Sequence, residues 1–394
     1  MKTLLSKLYV AGIFFSLIIL SSCSDSEDPN PKPDNRQEDI DLIDSKIEAF
    51  LSTHNLPGAS LAISKNGQLV YQKAFGLSSI ENNTEMTIES RMRVASVSKT
   101  FTGTAIMLLV QDGKISLDDK VFGDGGILGT TYGTKAYNDR VKKVTIRNLM
   151  QMTTGGWVVS GNRDAIDYQQ DVSNTQFFNW MMDNATLNFE PGSQYWYINT
   201  NYFVAARIIE KVSGKPFAQF LKERIFDPLE MKSTVLAKNG VNGRYPNEAT
   251  YYGLGGTKGY EYNFNIERRD GDAGIVTTAS DLLRFVNAID NYTAREDLMT
   301  PQTYAQFIKG STPNAQFGIG VLSANPYRLF YGALPGTRSS YLFHTSNGMA
   351  VSLIFNGNAD YTASNYNNFA IAHENLLIDL VTKNLDVYQD IDQF

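Results

Sequence analysis

The stretch RVASVSKTFTGTAIMLLV, residues 93–110, decides how this chain reads. A strand-like run, RMRVA, leads into an apolar helical repeat that Asp112-Gly113 ends. Ser96 stands where the repeat begins and Lys99 follows three residues later. On a helix the two share a face, so the lysine nitrogen reaches the serine hydroxyl. A helix N-terminus also offers free N–H groups and positive potential, which suit a developing oxyanion. A partly buried lysine near that dipole loses proton affinity, as a general base at neutral pH requires. The plainer reading is a capping serine followed by a surface lysine. Two features lean towards chemistry: the strand running into the helix, and the fact that no other serine lies three residues ahead of a lysine. On this stretch alone both readings stay open.

Working outward, IDLIDSKIEAFLSTHNL places apolar residues at 40, 43, 47, 50 and 51, a helical spacing. Pro57-Gly58 ends that helix, and GASLAIS and QLVYQKAFG read as a hairpin around Lys65-Asn66-Gly67-Gln68. TIRNLMQM, NTNYFVAARIIEKVSG and SDLLRFVNAID are helical, with Gly214 closing the second and Ser280 opening the third. Residues 239–263, rich in Gly, Asn and Tyr, read as a long surface excursion. From about residue 316 the pattern turns to strands: QFGIGVLSA, YRLFYGA, SSYLFHT and MAVSLIFN. NFAIAHENLLIDLVTKNL then supplies a closing amphipathic helix. The expectation is an α+β fold, an antiparallel sheet flanked by N- and C-terminal helices. Its sheet part covers about 38–95 and 290–394, and a mostly helical part covers about 96–289.

With 394 residues, 42% hydrophobic and 19% charged, the composition is that of a globular chain. A net charge of −6 and no basic run exclude a nucleic-acid surface. Three dispersed histidines, His54, His344 and His373, and a single cysteine leave no zinc pattern or disulfide framework. The N-terminus carries Lys2 and Lys7 ahead of an apolar run from Leu8 to Leu20, the form of a secretory signal over 1–22. That run is shorter than the roughly 20 residues a spanning helix needs. Leu20-Ser21-Ser22-Cys23 resembles a bacterial lipobox, which implies cleavage before Cys23 and lipidation of its thiol. The acidic, proline-rich segment over 23–37 reads as a disordered tether. The expected location is the cell envelope, lipid-anchored, at the outer membrane of a Gram-negative cell on either face.

FEPGSQYWYINTNYF sets a Pro-Gly turn ahead of Tyr197 and Asn199, just before a helix. Two apart on an extended segment, they point the same way. A phenol and an amide suit proton transfer and the orientation of a substrate amide. With 21 tyrosines in the chain, Tyr197 alone reads equally well as a packing residue.

Over residues 40 to 380 the chain resembles the penicillin-recognising serine hydrolases: class C β-lactamases, D-alanyl-D-alanine carboxypeptidases and related esterases. The likeness rests on LPGASLAISKNGQLVYQKAFG, RVASVSKTFTGTAIMLLVQDGKISLDDKV, VTIRNLMQMTTGG, FEPGSQYWYINTNY and GDAGIVTTASDLLRF. It implies a β-lactamase/transpeptidase-like fold, with Ser96 as the acylated nucleophile and Lys99 as its proton acceptor. Tyr197 would be the second acid/base and Asn199 the ligand for the substrate amide. The substrate would be a small ester, amide or peptide, peptidoglycan-derived ones among them. No metal or organic cofactor is called for, since side chains and water suffice for an acyl-enzyme route.

One position departs from the pattern. The family's third motif, Lys or His, a small residue, then Gly before a Pro-Gly turn, matches LFYGALPGTRSS with Phe330 in the basic place. Gly332 would let substrate backbone approach the strand, and the N–H of Ala333 would join that of Ser96 as oxyanion donors. Phe330 keeps those donors but supplies no charge for a substrate carboxylate. Arg338, eight residues on, is the candidate replacement cation. Met152 stands where relatives often carry His. The expected activity is therefore a serine acyl hydrolase favouring substrates without that carboxylate. The alternative is a catalytically weak or inactive relative that binds cell-wall fragments or peptides. Pocket walls are expected from 158–185 and 240–270.

Overall fold

The computed structural model describes residues 36–394 except 293, 361, 362, 365, 384–387 and 389–391. The signal segment and Cys23 lie outside the described residues. Helix α1 spans Arg36–His54, so it begins inside the stretch expected as a tether. Strands β1 (Gly58–Lys65) and β2 (Gln68–Ser79) are joined by Asn66 and Gly67 at φ 51° and 75°, the turn that an Asn-Gly pair favours. β3 is Thr84–Glu85 and β4 is Met92–Arg93. The long apolar repeat forms α2, Ser98–Gln111, and the run after Asn199 forms α3, Thr200–Ser213, closed by Gly214 in the left-handed conformation. Next come β5 (Val235–Leu236), β6 (Ile275–Thr277) and α4 (Ala279–Val286). The cap of α4 is Thr278, whose hydroxyl accepts from Asp281 N at 3.2 Å, and not Ser280. Strands β7 (Leu322–Ala324), β8 (Tyr327–Leu334), β9 (Thr337–His344) and β10 (Met349–Phe355) precede α5, Tyr366–Thr382.

Both chain ends build one seven-stranded sheet of order β7-β8-β9-β10-β1-β2-β3, antiparallel at each pairing. On one face α1 and α5 bury Ile47, Phe50, Leu377 and Leu380 against Leu61, Leu353 and Phe355. The other face meets α2 and α4, whose Phe101 and Phe285 rings stack with centroids 3.8 Å apart. This is a mixed α/β fold with helices covering an antiparallel sheet. β4, β6 and β5 form a second, three-stranded sheet beside the helical part.

Helix α2 is buried from Ser98 to Leu109, so its polar groups need partners inside the protein. Thr100 donates to Gly320 O and Thr102 to Gly271 O, each at 2.7 Å, while Ser98 Oγ accepts from Ile275 N at 3.0 Å. Those bonds explain why QFGIGVLSA yields a strand only over its last three residues. A Cβ on Gly320 would stand 2.4 Å from Lys99 O, so Gly320 is pressed against α2 at φ 74° and is not free to join the sheet.

Candidate active site

Ser96 does not cap α2. It lies in a three-residue 3₁₀ turn, Ala95–Val97, between β4 and α2, and neither helical segment has a side-chain cap at its start. Ala95 holds φ 46°, a left-handed conformation that costs a non-glycine residue about 1 kcal/mol or more. Val94 N donates to Ile275 O at 2.9 Å and Val97 N to Val94 O at 3.1 Å, which fixes the turn. The serine hydroxyl is thus freed from capping and turned towards Lys99.

Lys99 is fully buried. Its Nζ donates to Ser96 Oγ at 3.0 Å, to Asn199 Oδ1 at 2.8 Å and to Asp272 O at 3.0 Å. Burial is the largest influence on this amine and brings its pKa from 10.5 to about 7, with Asp272 opposing the shift. The Asp272 carboxylate stands 3.9 Å away and is itself held by Arg269, Nη2 to Oδ2 2.7 Å. Burial thus brings the neutral amine within reach near neutral pH.

Tyr197 and Asn199 converge on the same place from the loop before α3. The Tyr197 phenol hydrogen-bonds the Ser96 hydroxyl, and although the residue as a whole is 37% exposed, desolvation at the hydroxyl end pushes its pKa above the usual value for tyrosine. Its ring lies 4.9 Å from Lys99 Nζ. The loop is fixed by Met152, whose O accepts from Trp196 N at 2.8 Å and whose sulfur accepts from Ile198 N at 3.5 Å. Asn199 N donates to Asp164 Oδ2 at 2.5 Å, and Asp164 also accepts from the Thr200 hydroxyl. Burial raises the Asp164 pKa to about 6.

Strand β8 forms the other side of the site. β7 pairs only with Tyr327, Arg328 and Leu329, so the edge from Phe330 to Leu334 is open on the side of the Ser96 turn. Leu334 and Thr337 close a two-residue turn, and antiparallel alternation then aims the N–H of Ala333 away from β9, towards that open edge. Gly332 also answers a constraint within the protein itself. A Cβ there would stand 2.1 Å from Val94 O and 2.4 Å from Ser339 Oγ, so the glycine admits the protein's own Ser96 turn.

Phe330 is 3% exposed and packs against Phe317, centroids 6.0 Å apart; Phe317 in turn meets Tyr197 at 6.2 Å. It backs the site as a buried wall and does not stand at a rim. Arg338 does not replace the missing cation. It sits on the opposite face of the sheet, where Nε donates to His373 Nδ1 at 3.0 Å and Nη1 to Tyr366 Oη at 3.1 Å. Alternation along β9 explains the failure, because Arg338 and Ser339 point to opposite faces.

A cavity of about 400 Å³ opens beside the Leu334-Pro335 end of β8. Arg163, Asp167 and Gln170 wall it on one side and Tyr260 and Phe264 on another, from the two stretches expected. Asp272, Asp164 and Arg269 are the site residues that sequence reasoning missed, while Met152, noted there only as a departure from relatives, holds the loop of Tyr197. The charge-dense RRDGDAG run, residues 268–274, was the one available signal for two of them. Among the described residues no group of three His, Cys, Asp or Glu side chains could hold a metal ion.

The profile of the family described as "Beta-lactamase" matches residues 43–375. Protein flp of Staphylococcus aureus (strain MW2) is 26% identical over 333 residues, 81% of this chain and 63% of that protein. A D-aminopeptidase of Brucella anthropi is 28% identical over 347 residues, 83% of this chain and 62% of that protein. The chain thus spans less than two thirds of the length of these curated relatives. The D-amino acid amidase of Ochrobactrum anthropi SV3 superposes with a TM-score of 0.65 at 22% identity, covering 86% of this chain and 98% of that one. That likeness shows the fold.

Proposed function

This chain belongs to the beta-lactamase family, and from that premise we propose that it is a serine hydrolase cleaving ester or amide bonds through an acyl-enzyme. The buried Lys99 amine, 3.0 Å from Ser96 Oγ, carries the reading. Burial lowers the proton affinity of that amine to the neighbourhood of pH 7, whereas a phenol with a pKa above 10 is less than about one part in a thousand phenolate there. Lys99 is therefore the base and Tyr197 the acid of the resting site.

Lys99 takes the Ser96 proton as Oγ bonds to the substrate carbonyl carbon, and the carbonyl electron pair moves onto oxygen. The N–H groups of Ser96 and Ala333 receive that oxyanion. The carbonyl re-forms, the bond to the leaving oxygen or nitrogen breaks, and the leaving atom takes a proton from Tyr197. The phenolate recovers it from the Lys99 ammonium. Water then repeats the sequence on the acyl-enzyme, its proton passing to the same pair, and frees the acid and Ser96. Asn199 holds Lys99 and offers its amide to the substrate. Cys23, outside the described residues, serves in this proposal as the lipid anchor that holds the domain at the outer membrane.

The test is intact-mass analysis after incubation with a fluorophosphonate, then with a penicillin. The expected result is one adduct on the wild type and none on Ser96→Ala. No adduct from either probe on the wild type would instead favour a protein that binds cell-wall fragments without turning them over.

A further inference from the structure

We infer that Arg163 makes the cavity beside Leu334-Pro335 a receptor for a carboxylate carried on the acyl side of the substrate. The inference rests on the hydrolase reading above and names its substrate class. The open edge of β8 has two unlike ends. At Phe330 the neighbours are Phe317 and, through it, Tyr195 and Tyr197, with ring centroids 5.4 and 6.2 Å from Phe317. Tyr197 is the proton donor to the leaving group, so the leaving group lies at this aromatic, uncharged end. The acyl group must then run the other way, past Ala333 to Leu334 and Pro335, where the cavity opens.

The charge at that second end is specific. Arg269 lines the cavity, but its guanidinium is engaged by Asp272 at 2.7 Å and by Asp167 at 3.6 Å. Arg163, an exposed side chain, lines it too and has no carboxylate within 4.0 Å among the described residues; its one ring contact there is Tyr168, 5.0 Å from the guanidinium carbon. Its position is set by the same segment that orients the site. Arg163 pairs with Val159 in a short hairpin, Ala165 N donates to Trp157 O at 2.8 Å, and the intervening Asp164 holds Asn199. A planar, permanently charged fork, facing a cavity walled in part by Phe264, Leu334 and Ile166, is matched to a carboxylate. The cation absent at Phe330 on the leaving side is thus present on the acyl side.

The test compares two esters with one leaving group: p-nitrophenyl butyrate and the mono-p-nitrophenyl ester of glutaric acid. Wild type should favour the glutarate ester in kcat/KM. Arg163→Gln should lower the acidic-to-neutral ratio about three- to fivefold, the size expected for a charge pair made by an exposed arginine, while neutral-ester turnover stays within about twofold. Arg163→Lys should restore part of the ratio. Binding of glutaric acid monoamide and of butyramide to wild type and Arg163→Gln, by titration calorimetry, separates this inference from the hydrolase reading. If neither ester turns over yet the acidic amide binds and Arg163→Gln abolishes that binding, the carboxylate receptor stands and the hydrolase reading falls. An unchanged ester ratio in Arg163→Gln, or equal binding of both amides, overturns the inference.

Discussion

Replacing Lys99 by Met removes a titratable group from the centre of the protein, and linkage fixes the sign of its effect on stability as pH changes. Folded Lys99 titrates at about 7 and its unfolded counterpart at 10.5, so between those values the unfolded chain binds the extra proton. Raising pH through that window therefore favours the folded wild type, by about 1.4 kcal/mol per pH unit and about 5 kcal/mol in all. The Met variant lacks this contribution. It also loses hydrogen bonds to Ser96 Oγ, Asn199 Oδ1 and Asp272 O, but that loss is a constant offset, because none of the three acceptors titrates in the window. The quantity to measure is the wild-type minus Lys99→Met unfolding free energy, from urea titrations followed by tryptophan fluorescence. Between pH 7 and 9.5 it should rise by about 3 kcal/mol. Wild-type kcat/KM on a neutral ester should climb nearly tenfold per pH unit below about 7 and level off above it. A stability difference that stays flat to within about 0.5 kcal/mol across that range would show that Lys99 remains charged in the fold, and the base assignment would go with it.

Gly332→Ala should cost about 1–3 kcal/mol and reduce kcat more than KM, because the new methyl group drives β8 off the Val94 carbonyl beneath Ser96; a variant of wild-type Tm and activity would refute the packing argument. Phe330→Lys buries an ammonium where the ring is 3% exposed, so Tm should fall by a few degrees. In the same variant, kcat/KM should shift about tenfold towards leaving groups that carry a carboxylate. A folded variant with an unchanged ratio would place leaving-side selectivity elsewhere. Cys23→Ala should move the protein from the membrane to the soluble fraction, and continued membrane retention would remove the lipid anchor.

The parts of the fold that were legible are those whose signal is local. The Asn66-Gly67 turn, the periodic runs of α2 and α3, and the short apolar strand runs of β8 to β10 each carry their geometry within a dozen residues. The same holds for Ser96 and Lys99, three apart on one rigid segment. Asp272 meets Lys99 across 173 residues and Asp164 meets Asn199 across 35, the first from a loop and the second from a two-residue strand too short to show a period. Arg338 misled for a related reason: its distance in sequence suited the site, but strand parity sent it through the sheet to His373.

A lysine at α2's first turn is useful only if water is kept from it, and water is excluded because α2 is covered all round: by the sheet, by α4 and by the Gly318–Gly320 segment. Such a helix has no solvent-facing side on which to place a charged residue, so its one cation must find acceptors within the protein. Asn199 and Asp272 supply them from two different segments, the first held through its N–H by the Asp164 carboxylate and the second through its own carboxylate by Arg269. Removing Asp164 should therefore be felt at Lys99 even though the two do not touch. The reactive amine is poised less by the Ser-x-x-Lys spacing, which only brings it to the hydroxyl, than by the dry core that surrounds the helix.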